Sequence, residues 1–202
     1  MVLIKILGLC GMLSSIIYTL MWVIIGSMQS DYNHIRDDIS SLFAVEAPHR
    51  RIAQSFIITS SILCFIFFIG LHEGLQDGGR SLVGPILFLV SSFSGIIVAL
   101  FFPLDAGGEI KTIRGKMHLI LVASNGVLQI IGMLALWIRL ESVPEWHLFA
   151  IYSLISAIIS IILVIISSIS AQGKYRGIVE RIGVTPYELY YFILGLLLFL
   201  NN

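Results

Sequence analysis

The chain has 202 residues, of which 57% are hydrophobic and 12% are charged, and its mean hydropathy is +0.98. Soluble domains are about 25% charged, so this composition excludes a water-compatible surface and predicts an integral membrane protein. The formal net charge of zero disfavours a nucleic-acid partner. The length suits one membrane domain over residues 1–202 rather than two domains.

A helix needs about 20 residues to cross a bilayer, and six apolar stretches fit this requirement. They lie at about 4–28, 52–74, 82–102, 117–139, 146–170 and 187–200. The sixth is short, but Tyr187, Tyr190 and Tyr191 extend it as an aromatic anchor at one interface. Because helices and closed barrels alone satisfy the backbone in lipid, and no barrel-like alternation is present, the fold class is all-α, a bundle of six transmembrane helices.

Three long polar segments, 29–51, 103–116 and 171–186, connect these spans on one side of the predicted bundle. That side carries nine of the twelve Lys and Arg residues, namely Arg36, Arg50, Arg51, Lys111, Arg114, Lys116, Lys174, Arg176 and Arg181. The other side carries Lys5, Arg80 and Arg139. The positive-inside rule therefore predicts cytoplasmic long loops and external termini.

The first long segment contains Ile35, Ile39 and Leu42 at helical spacing. This spacing predicts a short amphipathic helix at the interface or in the mouth of the bundle. Its polar residues, including Asp38 and Ser40, are either a solvated face or part of a catalytic site.

The second long segment places Asp105 after the helix-breaking Pro103 and before Gly107 and Gly108, which permit a tight turn. Such a turn folds Asp105 back toward the bundle. Aspartate and the nearby His118 are residue types that serve as orienting acid and base, or as two metal ligands. We expect Asp105 and His118 to act together; the alternative is a solvated Asp105.

His118, Asn125 and Gln129 lie on one face of the fourth span, because they are seven and then four residues apart. Polar groups at this depth face protein or a water-filled cavity. They therefore form either a seam of interhelical hydrogen bonds or a polar pocket, in which Asn125 and Gln129 bind substrate.

Arg51, Arg176 and Arg181 are candidates for holding an anionic head group, because guanidinium binds phosphate and carboxylate in a bidentate manner. The alternative is that they snorkel to lipid head groups. A divalent metal has one conceivable ligand set, His34, His49 and His118 with Asp105 or Asp38, but no HxxxH or HExxH spacing supports it. The sequence identifies no other cofactor.

Four pieces of sequence share an order along nearly the whole chain: 38–44 with Ala47 and Pro48, then Phe102 to Asp105, His118, and Gly177 to Arg181. Together they resemble the bacterial and archaeal membrane family catalogued as domain of unknown function 998. The resemblance implies a multi-span fold and a shared residue set but no reaction, because the family has no settled activity. Ser41 stands where the family pattern suggests an acid, and Phe43 where it suggests glycine.

Two function classes fit these observations. The first is a hydrolase-like membrane enzyme that processes a lipid or amphiphile with an anionic head, using Asp105, His118, Asp38 and Ser40. The alternative is a non-catalytic protein that binds or transports a small molecule or lipid. Acid, base and cation types gathered at one membrane face favour the enzyme. The oligomeric state is left open by the sequence.

Overall fold

The computed structural model describes residues 2–77, 81–106, 110–171 and 173–202. Its long helices are α1 (Val2–Met28), α2 (Arg50–Ile69), α4 (Val83–Phe101), α5 (Ile113–Leu140), α6 (His147–Ser170) and α7 (Arg176–Asn201), and the four-residue α3 (Leu71–Gly74) follows α2. Six helices are long and apolar enough to cross a membrane, and the described ranges contain no strand. The predicted all-α fold with six spans is confirmed, and the protein is an integral membrane protein.

The six long helices form a closed ring in chain order. Each packs against the next, and α7 packs against α1. The outer surface carries aliphatic side chains such as Leu148, which is 82% exposed, as contact with lipid requires. We call the end of the ring that carries segments 29–49, 102–112 and 171–175 the loop face. At the other end the last residue, Asn202, donates a hydrogen bond to the carbonyl of Gly74 (3.2 Å).

The helix α7 begins earlier than the sequence predicted. The apolar pattern placed 171–186 in a loop, because Arg176, Glu180, Arg181 and Pro186 interrupt it, but the structure is helical from Arg176 onward. Arg and Glu are good helix formers. Their charged side chains find partners on the loop face, so the helix extends beyond the apolar stretch. The predicted loop is therefore wrong for residues 176–186.

Helices α1 and α7 run antiparallel along a close seam. Three pairs of residues meet along it at seven-residue steps, namely Gly8 with Gly195, Ser15 with Glu188, and Trp22 with Arg181. A Cβ atom added to Gly8 would lie 2.6 Å from the Gly195 carbonyl oxygen, so only glycine permits this approach. The ring is thus closed by direct backbone contact between its first and last helices.

A short 3-10 helix, Ile39–Phe43, closes the ring at the loop face by packing against α1, α2 and α7. We call it the plug. Ile39 and Leu42 are 1% and 0% exposed and join an apolar cluster with Met21, Ile25 and Ala53. The predicted helix is confirmed for residues 39–43. It is wrong for Ile35, which precedes the helix and is 49% exposed.

Candidate functional site

The plug is held at its start by Asp38. The Asp38 carboxylate accepts a hydrogen bond from the Ser41 amide (2.9 Å), which is the usual role of aspartate before a helix. A second acid, Glu180 on α7, accepts a hydrogen bond from the Ile39 amide. Asp38 thus caps the plug and Glu180 ties it to α7, while the Ser40 side chain faces His118 on α5.

Ser40 and His118 form a hydrogen-bonded pair between the plug and α5. His118 Nδ1 lies 2.7 Å from the carbonyl oxygen of Phe102, and His118 Nε2 lies 3.1 Å from Ser40 Oγ. A carbonyl only accepts, so Nδ1 carries the proton and Nε2 presents a lone pair. The Ser40 hydroxyl therefore donates to Nε2, which is the arrangement of a nucleophile with its general base.

The Ser40–His118 pair is enclosed. His118 is 1% exposed, and its ring packs against the Phe43 ring with 5.8 Å between centroids. Ser40 is half-buried. The Asp38 carboxylate lies within electrostatic range of His118. His118 is thus closed off from solvent, whereas Ser40 retains some exposure.

Asp105 folds back onto the chain as expected, but it does not pair with His118. Its carboxylate accepts hydrogen bonds from the amides of Lys111 (2.9 Å) and Thr112 (2.7 Å), from Thr112 Oγ1 (2.7 Å) and from Arg114 Nη2 (3.0 Å). Both ring nitrogens of His118 are engaged elsewhere. The expected contact between Asp105 and His118 is therefore absent.

These bonds make Asp105 a positioning residue for α5. Thr112 caps α5 by accepting from the Gly115 amide (3.2 Å), so Asp105 binds the cap itself. A Cβ atom on Gly115 would lie 2.4 Å from an Asp105 carboxylate oxygen, so glycine is required there. Hydrogen bonds from the Thr112 side chain and amide hold the pKa of Asp105 well below its usual range. Gly107, Gly108 and Glu109, which the predicted turn included, lie outside the described residues, as does Arg80.

Arg181 joins α7 to the segment that precedes the plug. Its Nη1 donates to three main-chain carbonyls, those of His34 (2.7 Å), Asp37 (3.0 Å) and Gly177 (2.8 Å). Its Nη2 donates to the Tyr32 hydroxyl, and Trp22 packs against the guanidinium. Burial raises the pKa of Tyr32 to about 12, so the phenol stays neutral. These partners occupy the terminal nitrogens that were predicted to bind substrate.

Arg176 lies beside a polar cleft at the loop face. The cleft has a volume of about 360 Å³, and Asp31, Asp37, Ser41 and Glu46 also line it. Arg176 Nε donates to the Arg36 carbonyl (3.2 Å) and lies 3.7 Å from the Asp38 carboxylate. The cleft adjoins the plug through Ser41, so Arg176 is the predicted cation that lines a cleft beside the plug.

The other predicted substrate-binding residues lie apart from Ser40. Arg51 is exposed and lines a second cleft of about 340 Å³ formed by residues 46–52, which shares Glu46, Ala47 and Pro48 with the cleft beside Arg176. Gln129 Nε2 donates to Ser91 Oγ (2.9 Å) on α4, as a seam of interhelical hydrogen bonds requires. The carbonyl oxygens of the Asn125 and Gln129 side chains are buried and have no protein partner in the described part of the chain. The structure brings neither residue to the loop face.

Sequence reasoning missed three groups that the structure makes prominent. The Phe102 carbonyl orients His118, but a main-chain atom leaves no signal in the sequence. Arg139 and Asp77 form an ion pair at the opposite end of the ring, with both side chains 1% exposed. Glu188 is the one acid in the predicted span 187–200, and an acid within an apolar span is a signal that could have identified it. Over the described ranges, no group of three or more His, Cys, Asp or Glu residues is placed to hold a metal ion.

One family model matches the chain. Its description is "Protein of unknown function (DUF998)", and it covers residues 12–197. No curated protein and no solved structure shows a significant match. The match spans nearly the whole chain, so the protein belongs to the DUF998 family.

Proposed function

We propose that this member of the DUF998 family is a membrane-embedded hydrolase that acts on a lipid or another amphiphile at the loop face. The observation that carries the proposal is the hydrogen bond from Ser40 to His118, in which the Phe102 carbonyl fixes the tautomer that a general base needs. Ser40 is the nucleophile and His118 is the base. Asp38 and Asp105 do not contact the substrate; they act by stabilising and positioning His118.

The reaction follows the chemistry of a serine acyl transfer. Ser40 Oγ bonds to the carbonyl carbon of an ester or amide while its proton passes to His118 Nε2. The imidazolium returns this proton to the leaving alcohol or amine as the scissile bond breaks, which leaves an acyl group on Ser40. His118 Nε2 then takes a proton from water as the water oxygen bonds to the acyl carbon. The imidazolium gives this proton to Ser40 Oγ as the bond between Oγ and the acyl carbon breaks, which releases a carboxylic acid and restores the free serine.

Two acids support this cycle from different positions. The negative charge of Asp38 lies within electrostatic range of His118 and stabilises the imidazolium. Asp105 holds the start of α5 through Thr112, and thereby keeps His118 beside the Phe102 carbonyl. A carbonyl orients the imidazole but carries no full charge, so we expect slower turnover than in a triad whose third member is a carboxylate.

The cleft beside the plug is the proposed site for the substrate's head group. Arg176 supplies one positive charge there, whereas Asp31, Asp37 and Glu46 supply negative charge. A head group with both signs of charge matches this lining better than a purely anionic one. The acyl chains would then lie along the lipid-facing helices, and the plug would shift to bring the scissile bond to Ser40.

The enclosure of His118 favours a second candidate function, a non-catalytic protein that binds or transports a small molecule or lipid. In this case the Ser40–His118 hydrogen bond only anchors the plug to α5, and the cleft is the binding site. The two candidates differ in the reactivity of Ser40. An anchoring serine stays inert toward an electrophile that a base-activated serine attacks.

The experiment is labelling of the purified protein in detergent and in lipid nanodiscs with an alkyl fluorophosphonate. We expect label on Ser40, and its loss in both Ser40→Ala and His118→Gln. Ser41→Ala is the matched control, because Ser41 is the neighbouring serine of the plug, and it should label as the wild type does. Label that persists in Ser40→Ala, or a wild type that stays unlabelled in nanodiscs, contradicts the hydrolase proposal and favours the binding protein.

The proposed orientation places the loop face in the cytoplasm of a prokaryotic cell and both ends of the described chain outside. It rests on the nine of twelve Lys and Arg residues that lie in the predicted long loops. Cysteines introduced separately at Arg51 and at Leu3 should respectively resist and accept an impermeant maleimide in intact cells. The reverse pattern would contradict this orientation.

A further inference from the structure

Glu188 is a half-buried carboxylic acid within the membrane-crossing part of α7. It lies near the midpoint of α7 (Arg176–Asn201), and the Ser15 that meets it lies near the midpoint of α1 (Val2–Met28). Ser15 Oγ donates to the main-chain carbonyl of Glu188 (2.8 Å). The acid is therefore far from both ends of the helices and belongs to the α1–α7 seam.

No cation faces Glu188 from the described elements around it. Its ionisable neighbours are Tyr18 on α1, Cys64 on α2 and Tyr191 on α7. The ionisable groups of α6 are His147 and Tyr152, and Tyr152 stacks on Tyr190 instead. Arg181 lies seven residues away, about 10 Å along the helix. The terminal nitrogens of Arg181 are bonded to main-chain carbonyls and Tyr32.

An ionised Glu188 would lack compensation in this environment. Moving a carboxylate from water into a protein or membrane interior is strongly unfavourable unless a partner charge or a set of donors accompanies it. The Ser15 hydroxyl donates its single proton to the main-chain carbonyl of Glu188 and not to its carboxyl. Ser15 therefore has only lone pairs to offer, which a protonated acid uses and a bare carboxylate does not.

We propose that Glu188 is a proton-binding site within the membrane domain, occupied by a proton at neutral pH. The route for exchange leads to the loop face. Tyr18 lies within electrostatic range of both Glu188 and Glu180. Glu180 in turn binds the amide of Ile39 at the plug. Glu188, Tyr18 and Glu180 thus form a line of ionisable groups from the middle of the ring to its loop face, independent of the Ser40–His118 pair.

Infrared spectroscopy of the full chain in nanodiscs at neutral pH tests this site. The wild type minus Glu188→Gln difference spectrum should contain the carbonyl stretch of a protonated carboxylic acid, and this band should shift in deuterium oxide. Glutamine has the shape of the neutral acid, so the variant should fold. Glu180→Gln is the matched control and should keep the Glu188 band. A difference spectrum with carboxylate bands and no protonated-acid band would overturn the proposal.

Labelling with the hydrophobic reagent dicyclohexylcarbodiimide gives a second measurement. The acid proton moves to one nitrogen of the reagent while the carboxyl oxygen bonds to its central carbon, and an acyl shift to nitrogen then fixes the whole reagent on Glu188. We expect this adduct in the wild type and its loss in Glu188→Gln, but not in Glu180→Gln. Protection by sodium ions at constant pH would overturn the proposal, because the site would then bind a metal cation.

Discussion

Replacing Arg181 by methionine removes the group that ties α7 to the segment carrying the plug. Methionine keeps much of the aliphatic volume but donates no hydrogen bond, so three main-chain carbonyls and the Tyr32 hydroxyl lose their donor. A hydrogen bond to a charged group contributes about 1.5–3 kcal/mol, and a buried carbonyl left unpaired costs about 1–3 kcal/mol. These terms overlap, and removal of a buried charge offsets part of the loss. We therefore expect a decrease of about 3 kcal/mol in the free energy of unfolding.

The measurement is thermal unfolding of the purified variant in detergent. For a chain of this size, a loss of about 3 kcal/mol lowers Tm by roughly 6–12 °C. Arg51→Met is the matched control, because Arg51 is exposed at the same face, and its Tm should stay near that of the wild type. Fluorophosphonate labelling of Ser40 should fall in Arg181→Met, since the plug loses its attachment to α7. If Arg181→Met unfolds at the same temperature as Arg51→Met, Arg181 is not a structural clamp, and its predicted role in substrate binding regains support.

Two further predictions concern the ends of α5. Arg139→Leu leaves the buried Asp77 carboxylate without its partner, so the free energy of unfolding should fall by roughly 3–5 kcal/mol; the double variant with Asp77→Leu should recover most of this loss, and a double variant no more stable than Arg139→Leu would contradict the pairing. The pKa of Asp105 lies below its usual range when folded, so its carboxylate stabilises the protein above that usual range, and this stabilisation is lost as pH falls toward the folded value. The Tm difference between the wild type and Asp105→Asn should therefore stay constant from neutral to mildly acid pH and shrink only below the usual carboxyl range. A difference that shrinks near pH 6 would mean that another group, such as His118, is responsible.

The spans were predictable because apolar length is a direct requirement of the bilayer. The start of α7 was not, because Arg176, Glu180 and Arg181 look like loop residues until their partners on the plug segment are known. Helix propensity says little about such a stretch when tertiary contacts satisfy its charges. The seven-residue α1–α7 seam was equally invisible, since it depends on which helix closes the ring.

The candidate site was predicted in its residues but not in its contacts. Ser40, Asp38 and His118 do come together, as residues of one loop face can. Asp105 was expected beside His118. Its partners instead include the main-chain amides of Lys111 and Thr112, and a main-chain amide leaves no residue-specific signal in the sequence. Side-chain chemistry suggested which residues to consider. The contacts of Asp105 and His118, however, are set largely by main-chain amides and by the Phe102 carbonyl.

The closure of the ring by α7 against α1 has a consequence for biosynthesis. Since α7 is translated after the other five long helices, α1 enters the membrane with its Gly8 and Ser15 face uncovered. The plug also lacks partners at that stage, because Glu180 and Arg181, which bind the plug and the segment before it, are translated only with α7. Domains made N-terminus first generally complete their contacts as the chain emerges. Here the site at the loop face is assembled in the final step, so a ribosome stalled before Arg176 would carry a chain without a seated plug.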